Sequence, residues 1–294
     1  MSDATRDEFL DLVALVRPEL HRYCARLTGS VVDGEDIVQE SLEKAFGALR
    51  GAPEVPALRP WLFRIAHNTA LDHLKRYERK HVESRADFED LAADEDARDP
   101  DVVRAALSSF LRLPIAQRCA VILKDVLGHS LEETADTMGA TIPAVKSALN
   151  RGRTSLREAP ALDASPPSSA SSSARHGEEL HRLQHYASLF NARDWDAVKA
   201  LVTEECRLDL VAKASRRGKE VYGYFGRYAA EPAGAHLAVG RVVGKPALLF
   251  YPARTTEKPA YFIFVEWSGD RIAFIRDYRY VPYVADDLDY QVVG

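Results

Sequence analysis

The sequence predicts a multidomain chain in which two all-α domains are followed by a C-terminal α+β domain. Three observations carry that expectation. Between residues 8 and 158 apolar residues recur at helical spacing, and only an acidic strip, DFEDLAADEDARDPD (Asp87 to Asp101), interrupts them. The tract APALDASPPSSASSSARHG then ends the periodicity with Ser, Pro and Ala, residues that favour a solvated linker. Beyond it, two helix-like stretches give way to runs that alternate as strands do. The expected boundaries are 8–82 and 102–158 for the helical domains, 83–101 and 159–177 for the linkers, and 178–294 for the α+β domain.

Global properties exclude several classes of function. A formal net charge of -5 argues against a uniform coat on nucleic acid, though it leaves local cationic patches open. Cys24, Cys119 and Cys206 lie far apart and form no CxxC pair, which points to a reducing compartment and to no zinc site. No metal and no cofactor is expected. The start, MSDATRDEFLDLV, carries acids where a signal peptide needs a basic start and a long apolar run. No stretch approaches the ~20 apolar residues of a membrane span. A cytoplasmic protein is expected, with no membrane partner.

In the first helical block, DGEDIVQESLEKAF places Asp33 as the expected cap of a helix whose Ile37, Leu42, Ala45 and Phe46 face a core. Asp36, Gln39, Glu40 and Glu43 make the opposite side acidic. That side suits a basic protein partner or a solvated surface equally well.

The stretch PWLFRIAHNTALDHLKRYERKH (Pro60 to His81) begins with aromatics and ends in cations. Phe63, His67, Ala70, Leu74 and Tyr77 share one helical stripe, and Arg64, Asn68, Lys75 and Arg79 share another. Phe63 and Leu74 read as core. Trp61, Asn68, Lys75, Arg76 and Arg79 read as contacts to a single strand, since aromatics stack on exposed bases and cations follow a phosphate backbone.

In the second block, SLEETADTMGATIPAVKSALNRGRTSLRE contains Ser130 with Glu133 three residues on, a capping box that starts a helix at Leu131. Gly139 can end that helix in the left-handed conformation, and Thr141 with Pro143 starts another. Helix, short turn and helix form the helix-turn-helix layout. Val145, Leu149 and Leu156 point inward, while Lys146, Asn150, Arg153 and Arg157 recur at spacings of four, three and four along an expected outward face. Such a face offers donors to phosphates and to purine edges in a major groove.

Together these motifs resemble a sigma factor of the extracytoplasmic-function group in the sigma-70 family, over roughly residues 8 to 158. DGEDIVQESLEKAF resembles the part of sigma region 2 that docks on RNA polymerase. RPWLFRIAHNTALDHLKR resembles the part that melts and reads the minus-ten promoter element. LPIAQRCAVILKDVLGHSLEETADTMGATIPAVKSALNRGRTSLR resembles region 4, which reads the minus-thirty-five element. Gly34 departs from the family's frequent alanine and His67 from its usual apolar residue. The resemblance implies core RNA polymerase and promoter DNA as partners. It assigns Asp36, Gln39, Glu40 and Glu43 to polymerase. It assigns Trp61, Arg64, Ile65, Ala66, Asn68, Thr69, Lys75, Arg76 and Arg79 to the minus-ten element, with Ile65, Ala66, Asn68 and Thr69 around a flipped base. Lys146, Ser147, Asn150, Arg151 and Arg153 go to the minus-thirty-five element. The acidic strip is expected to lie in a polymerase channel built for RNA.

In the third block, HRLQHYASLFNARDWDAVKALVTEECRLDL reads as helix, a turn at Asn191 to Asp194, helix and strand. AYFIFVEWSGDRIAFIRDYRYVPYV reads as a hairpin turning at Ser268, Gly269 and Asp270. Layout, NARDWDAV and IRDYRYV resemble the SnoaL-like fold of the nuclear-transport-factor-two superfamily, which implies a cone-like barrel. Arg207, Asp209, Tyr222, His236, Asp277 and Tyr280 are its candidate pocket residues, and no spacing selects an acid/base pair among them. The resemblance implies a tail that regulates sigma activity in cis through intramolecular contact with the sigma domains, with an unknown small molecule as a candidate ligand and no enzymatic role. Two other readings stay open: a helix-turn-helix regulator with a ligand-binding tail, and a sigma factor whose tail is also an enzyme.

Overall fold

The computed structural model describes residues 3–49, 57–78, 107–158, 170–286, 288 and 290–293. The acidic strip, Arg79 and most of the Ser/Pro/Ala tract lie outside the described residues. The chain divides into two compact units, Met1–Asp163 and Ala164–Gly294.

The first unit is helical. Helices α1 (Asp3–Thr28), α2 (Val31–Leu49) and α3 (Leu58–Glu78) pack on one another. The turn between α1 and α2 is made by Gly29 at φ 75°. The backbone N–H of Asp33 donates to Ser30 Oγ at 3.2 Å, so the hydroxyl of Ser30, rather than the expected Asp33, accepts from the first turn of α2. Gly34 sits where α2 crosses α1: a Cβ there would lie 2.7 Å from the Ala25 backbone. This contact accounts for glycine at this position.

A short α4 (Leu107–Phe110) and α5 (Ile115–Val121) lead into one π-helical turn, Ile122–Val126. Helices α6 (Leu131–Met138) and α7 (Ile142–Glu158) follow. The capping box at Ser130 is formed in both directions, with bonds of 3.0 and 2.7 Å, and Gly139 ends α6 at φ 61° as its sequence position requires. One hydrophobic core joins all of these helices. Leu20, Tyr23, Leu62 and Phe63 on one side meet Phe110, Ile122, Leu123, Val145 and Leu149 on the other. A fully buried Leu or Phe contributes about 1.5–3 kcal/mol, so the two helical blocks hold each other as well as themselves.

The second unit is α+β, as expected. Helix α8 (Ala170–Asn191) begins inside the tract read as linker, because Ser and Ala can extend a helix whose apolar face at Leu183, Tyr186 and Phe190 is buried. The Asn191 to Asp194 turn carries Arg193 at φ 58°, and Asp194 caps α9 (Trp195–Ala200) by accepting from Ala197 N–H at 3.0 Å. Strands β1 (Val202–Leu210) and β2 (Ala214–Arg217) precede α10 (Tyr222–Ala229). Strands β3 (His236–Val242), β4 (Lys245–Tyr251), β5 (Tyr261–Ser268), β6 (Arg271–Asp277) and β7 (Tyr290–Val292) complete one sheet of order β2-β1-β6-β5-β4-β3-β7. Among the described residues β1 and β6 run parallel and the other strand pairs antiparallel. The β5–β6 hairpin turns at Gly269, φ 61°.

Candidate nucleic-acid interface

Helix α2 shows two faces. Ile37, Val38, Leu42 and Ala45 are buried, while Gln39 and Glu43 are exposed and Asp36 and Glu40 are half-buried. The exposed face is an internally bonded row: Gln39 Nε2 donates to Glu43 Oε1 at 3.0 Å, and Glu40 pairs with Lys44 at 2.8 Å. That bond from Lys44 holds the Glu40 carboxyl below the usual carboxylate range.

Helix α3 separates its stripes as its spacing implies. Phe63, His67 and Ala70 are buried and Leu74 packs on the core; Arg64, Asn68, Lys75 and Arg76 are exposed. His67 meets the Tyr23 hydroxyl at 2.6 Å, and burial pushes its imidazole down to about 4, so it is neutral. Trp61 is half-buried against the core and Ile65 is half-buried. Two expected base contacts are corrected. Ala66 is wholly buried, and Thr69 is buried with its hydroxyl accepting from Lys44 Nζ at 3.2 Å. They lie three and six residues after Phe63, on the side of the helix that faces the core, so neither presents its side chain to a base.

On α7, Val145 and Leu149 are buried, and Lys146, Ser147, Asn150 and Arg151 are half-buried along the outer side. Arg153 is the third correction. It is buried and forks onto Asp125 of the π-helical turn, with Nε to Oδ2 at 3.0 Å and Nη2 to Oδ1 at 2.6 Å. Side-chain exposures of 7% and 0% make this a structural ion pair rather than a nucleic-acid contact. It ties α7 to the π-helical turn that precedes the helix-turn-helix.

Helices α3 and α6 also touch each other. Arg64 donates to the Asp136 backbone carbonyl at 2.7 Å and to its carboxylate at 2.8 Å. The rings of Phe63 and His129, the latter just before α6, meet edge-on at 4.6 Å, and Arg59 lies 3.9 Å from the Glu133 carboxylate. Arg64 is thus already occupied on one of the two helices suited to nucleic acid.

The six candidate residues of the second unit do not converge. Arg207 and Asp209 line an open cleft of about 480 Å³, and Tyr280 lines a different one of about 230 Å³. Tyr222 is exposed, and His236 stacks on Tyr251 at 5.1 Å. Asp277 is wholly buried, accepting from Tyr228 Oη at 2.7 Å and from Arg279 N–H at 2.8 Å, and burial raises its carboxyl above the usual range. The reading of these six as one pocket is corrected: strand alternation sends Asp277 inward and leaves Tyr222 on a helix surface. Lys213, Arg216, Arg227 and Arg279 gather around Tyr280 instead. Among the described residues no group of three or more His, Cys, Asp or Glu side chains could hold a metal ion, and no helix is long and apolar enough to cross a membrane.

Comparison with known proteins places this geometry. The Sigma-70 region 2 family model matches residues 12–80, and the Sigma-70, region 4 model matches residues 104–156. The RNA polymerase sigma factor CarQ of Myxococcus xanthus is 34% identical over 162 residues, covering 53% of this chain and 91% of CarQ. The ECF RNA polymerase sigma factor SigG of Mycobacterium tuberculosis is 31% identical over 236 residues, 69% of this chain; the chain spans 61% of the length of SigG. Among solved structures, the extracytoplasmic function sigma factor SigJ of Mycobacterium tuberculosis matches with 22% identity and a TM-score of 0.37, over 91% of this chain and 95% of SigJ. With both sigma regions matched in order, and most of a sigma factor's length aligned at more than 30% identity, the chain belongs to the extracytoplasmic-function sigma factors of the sigma-70 family, and it carries a C-terminal α+β extension.

Proposed function

We propose that this chain directs promoter-specific transcription initiation as a subunit of RNA polymerase, with its C-terminal unit regulating that activity in cis. The observation that carries the reading is the presence, in one helical unit, of a capped helix-turn-helix and a second cationic helix set beside an acidic one. The outer side of α7, with Lys146, Ser147, Asn150 and Arg151, serves the minus-thirty-five element, where forked and amide side chains bond purine edges. The exposed Arg64, Asn68, Lys75 and Arg76 of α3, with Trp61 and Ile65 beside them, serve the opened minus-ten strand. Asp36, Gln39, Glu40 and Glu43 serve core polymerase. Because Arg64 is bonded to Asp136, engagement of the minus-ten element requires that bond to open. The work is binding and strand capture, and the reading assigns no catalysis to the chain.

Run-off transcription with purified core polymerase and a promoter pool tests this, comparing the full chain with a version ending near Ser165. Stronger activity in the shorter chain supports a restraining tail, and activity in the full chain alone supports an activating one. Failure of both chains to bind polymerase removes the sigma reading.

A further inference from the structure

The C-terminal unit contains a concentration of positive charge that the acidic chain does not lead one to expect. Lys213 and Arg216 come from the β1–β2 turn and β2, Arg227 from α10, and Arg279 from just after β6. These four cations line one cleft of about 230 Å³, with Glu220 as the carboxylate among its lining residues. Like charges placed together in a partly enclosed site repel one another, and the arrangement persists only where something else offsets that cost.

Among the described residues that offset is partial: Glu220 lines the cleft, and Glu231 pairs with Arg279 alone. Lys213, Arg216 and Arg227 have no ion pair among the described residues, although the same unit pairs Arg276 with Asp209 at 3.3 Å and Arg279 with Glu231. Lys213 is held over the ring of Tyr280 at 5.8 Å, which orients the ammonium without neutralising it. Arg279 is held by Glu231 through Nη2 and lies over the Tyr228 ring at 5.0 Å, while its Nη1 is buried with no acceptor. A buried charged donor without an acceptor costs roughly 1–3 kcal/mol or more, and binding sites are where such costs recur.

The cleft also has an organised wall. Tyr224 lines it, and its hydroxyl lies 3.5 Å from Tyr228 Oη. Tyr228 in turn bonds Tyr261 at 3.2 Å and Asp277 at 2.7 Å. The interior behind it is filled by these aromatic rings and by Phe190 and Phe250, so a ligand is taken at the cleft and not within the packed centre.

We propose that this cleft is a ligand site of the C-terminal unit and takes a small organic anion of two or more charges, either a phosphate monoester or a polycarboxylate, clasped by Lys213, Arg216, Arg227 and Arg279. The flanking Tyr224 and Tyr280 rings fit a compact planar or apolar portion beside the anionic group. This deepens the cis-regulatory reading of the tail by naming the chemistry of its signal. Its test reads binding alone, so its failure leaves the sigma reading standing.

The experiment is calorimetric titration of the full chain, at low and at moderate salt, with phenyl phosphate, with citrate, and with neutral phenyl glucoside. The Arg216→Gln/Arg227→Gln double variant removes two exposed cations, and Arg254→Gln removes an exposed cation elsewhere on the same unit. The expected result is binding of at least one of the two anions and not of the glucoside. Binding should weaken about tenfold or more in the double variant and stay unchanged in Arg254→Gln. Preference for phenyl phosphate identifies the phosphate source, and preference for citrate the polycarboxylate one. Absence of binding by both anions, or equal weakening in Arg254→Gln, overturns the proposal, as does a double variant that binds like the natural chain.

Discussion

Breaking the Arg153–Asp125 pair tests whether Arg153, the third residue of the α7 stripe, belongs to the fold or to DNA. In Asp125→Ala the guanidinium loses its two bonds to the carboxylate, at 3.0 and 2.6 Å, in a place where only 7% of its side chain meets solvent. Leaving one member of a buried pair uncompensated costs about 3–5 kcal/mol, against a total stability of about 5–15 kcal/mol for a typical domain. With a urea slope of about 1–3 kcal/mol per molar, the unfolding midpoint of the helical unit falls by about 1 M or more. Far-UV circular dichroism of the full chain in urea reads this directly, since the helical unit dominates the signal. Replacing both partners together, Asp125→Leu with Arg153→Met, recovers most of the loss because no charge is left buried. If Arg153→Ala unfolds at the natural midpoint but loses binding to a minus-thirty-five duplex, the side chain works outside the core and the assignment fails.

Three further outcomes are expected. Asp136→Ser, which removes the carboxylate partner of the half-exposed Arg64 and leaves its bonds to the backbone carbonyl, changes stability by less than about 1 kcal/mol and strengthens binding to a single-stranded minus-ten oligonucleotide by up to about fivefold; unchanged or weaker binding argues against a competing carboxylate contact. The folded His67 titrates near 4 against an ordinary 6.5, so the unfolded chain takes up its proton first, and stability falls as pH drops from about 6.5 to 4. The loss is on the order of 2–3 kcal/mol, and His67→Gln flattens that part of a urea-midpoint-against-pH profile. Gly34→Ala forces α2 away from the Ala25 backbone and lowers the melting temperature of the helical unit, although alanine is the better helix former; a rise instead would show that α1 and α2 can separate freely.

What the sequence determined by itself was local. Ser130, Glu133 and Gly139 specify α6 because a capping box and a left-handed stop act within four residues. The Asn191 to Asp194 turn and the Gly269 hairpin are specified in the same way, as are the buried stripes of α3 and α7. Ala66 is buried by its place on α3, three residues after Phe63, but Arg153, Thr69 and Arg64 are committed by partners distant in the chain. Arg153 lies at the border between the apolar stripe and the outer face, and which side it takes is decided by Asp125, 28 residues earlier. Thr69 accepts from Lys44 at a separation of 25 residues, and Arg64 is engaged by Asp136 at a separation of 72 residues. Lys213 and Arg216 lie three residues apart in the sequence, but their meeting with Arg227 and Arg279 exists only once β2, α10 and the end of β6 are brought together. Spacing along one helix or strand fixes which residues share a face. What that face meets is set by the packing of elements far apart in sequence, and only the tertiary structure carries that information.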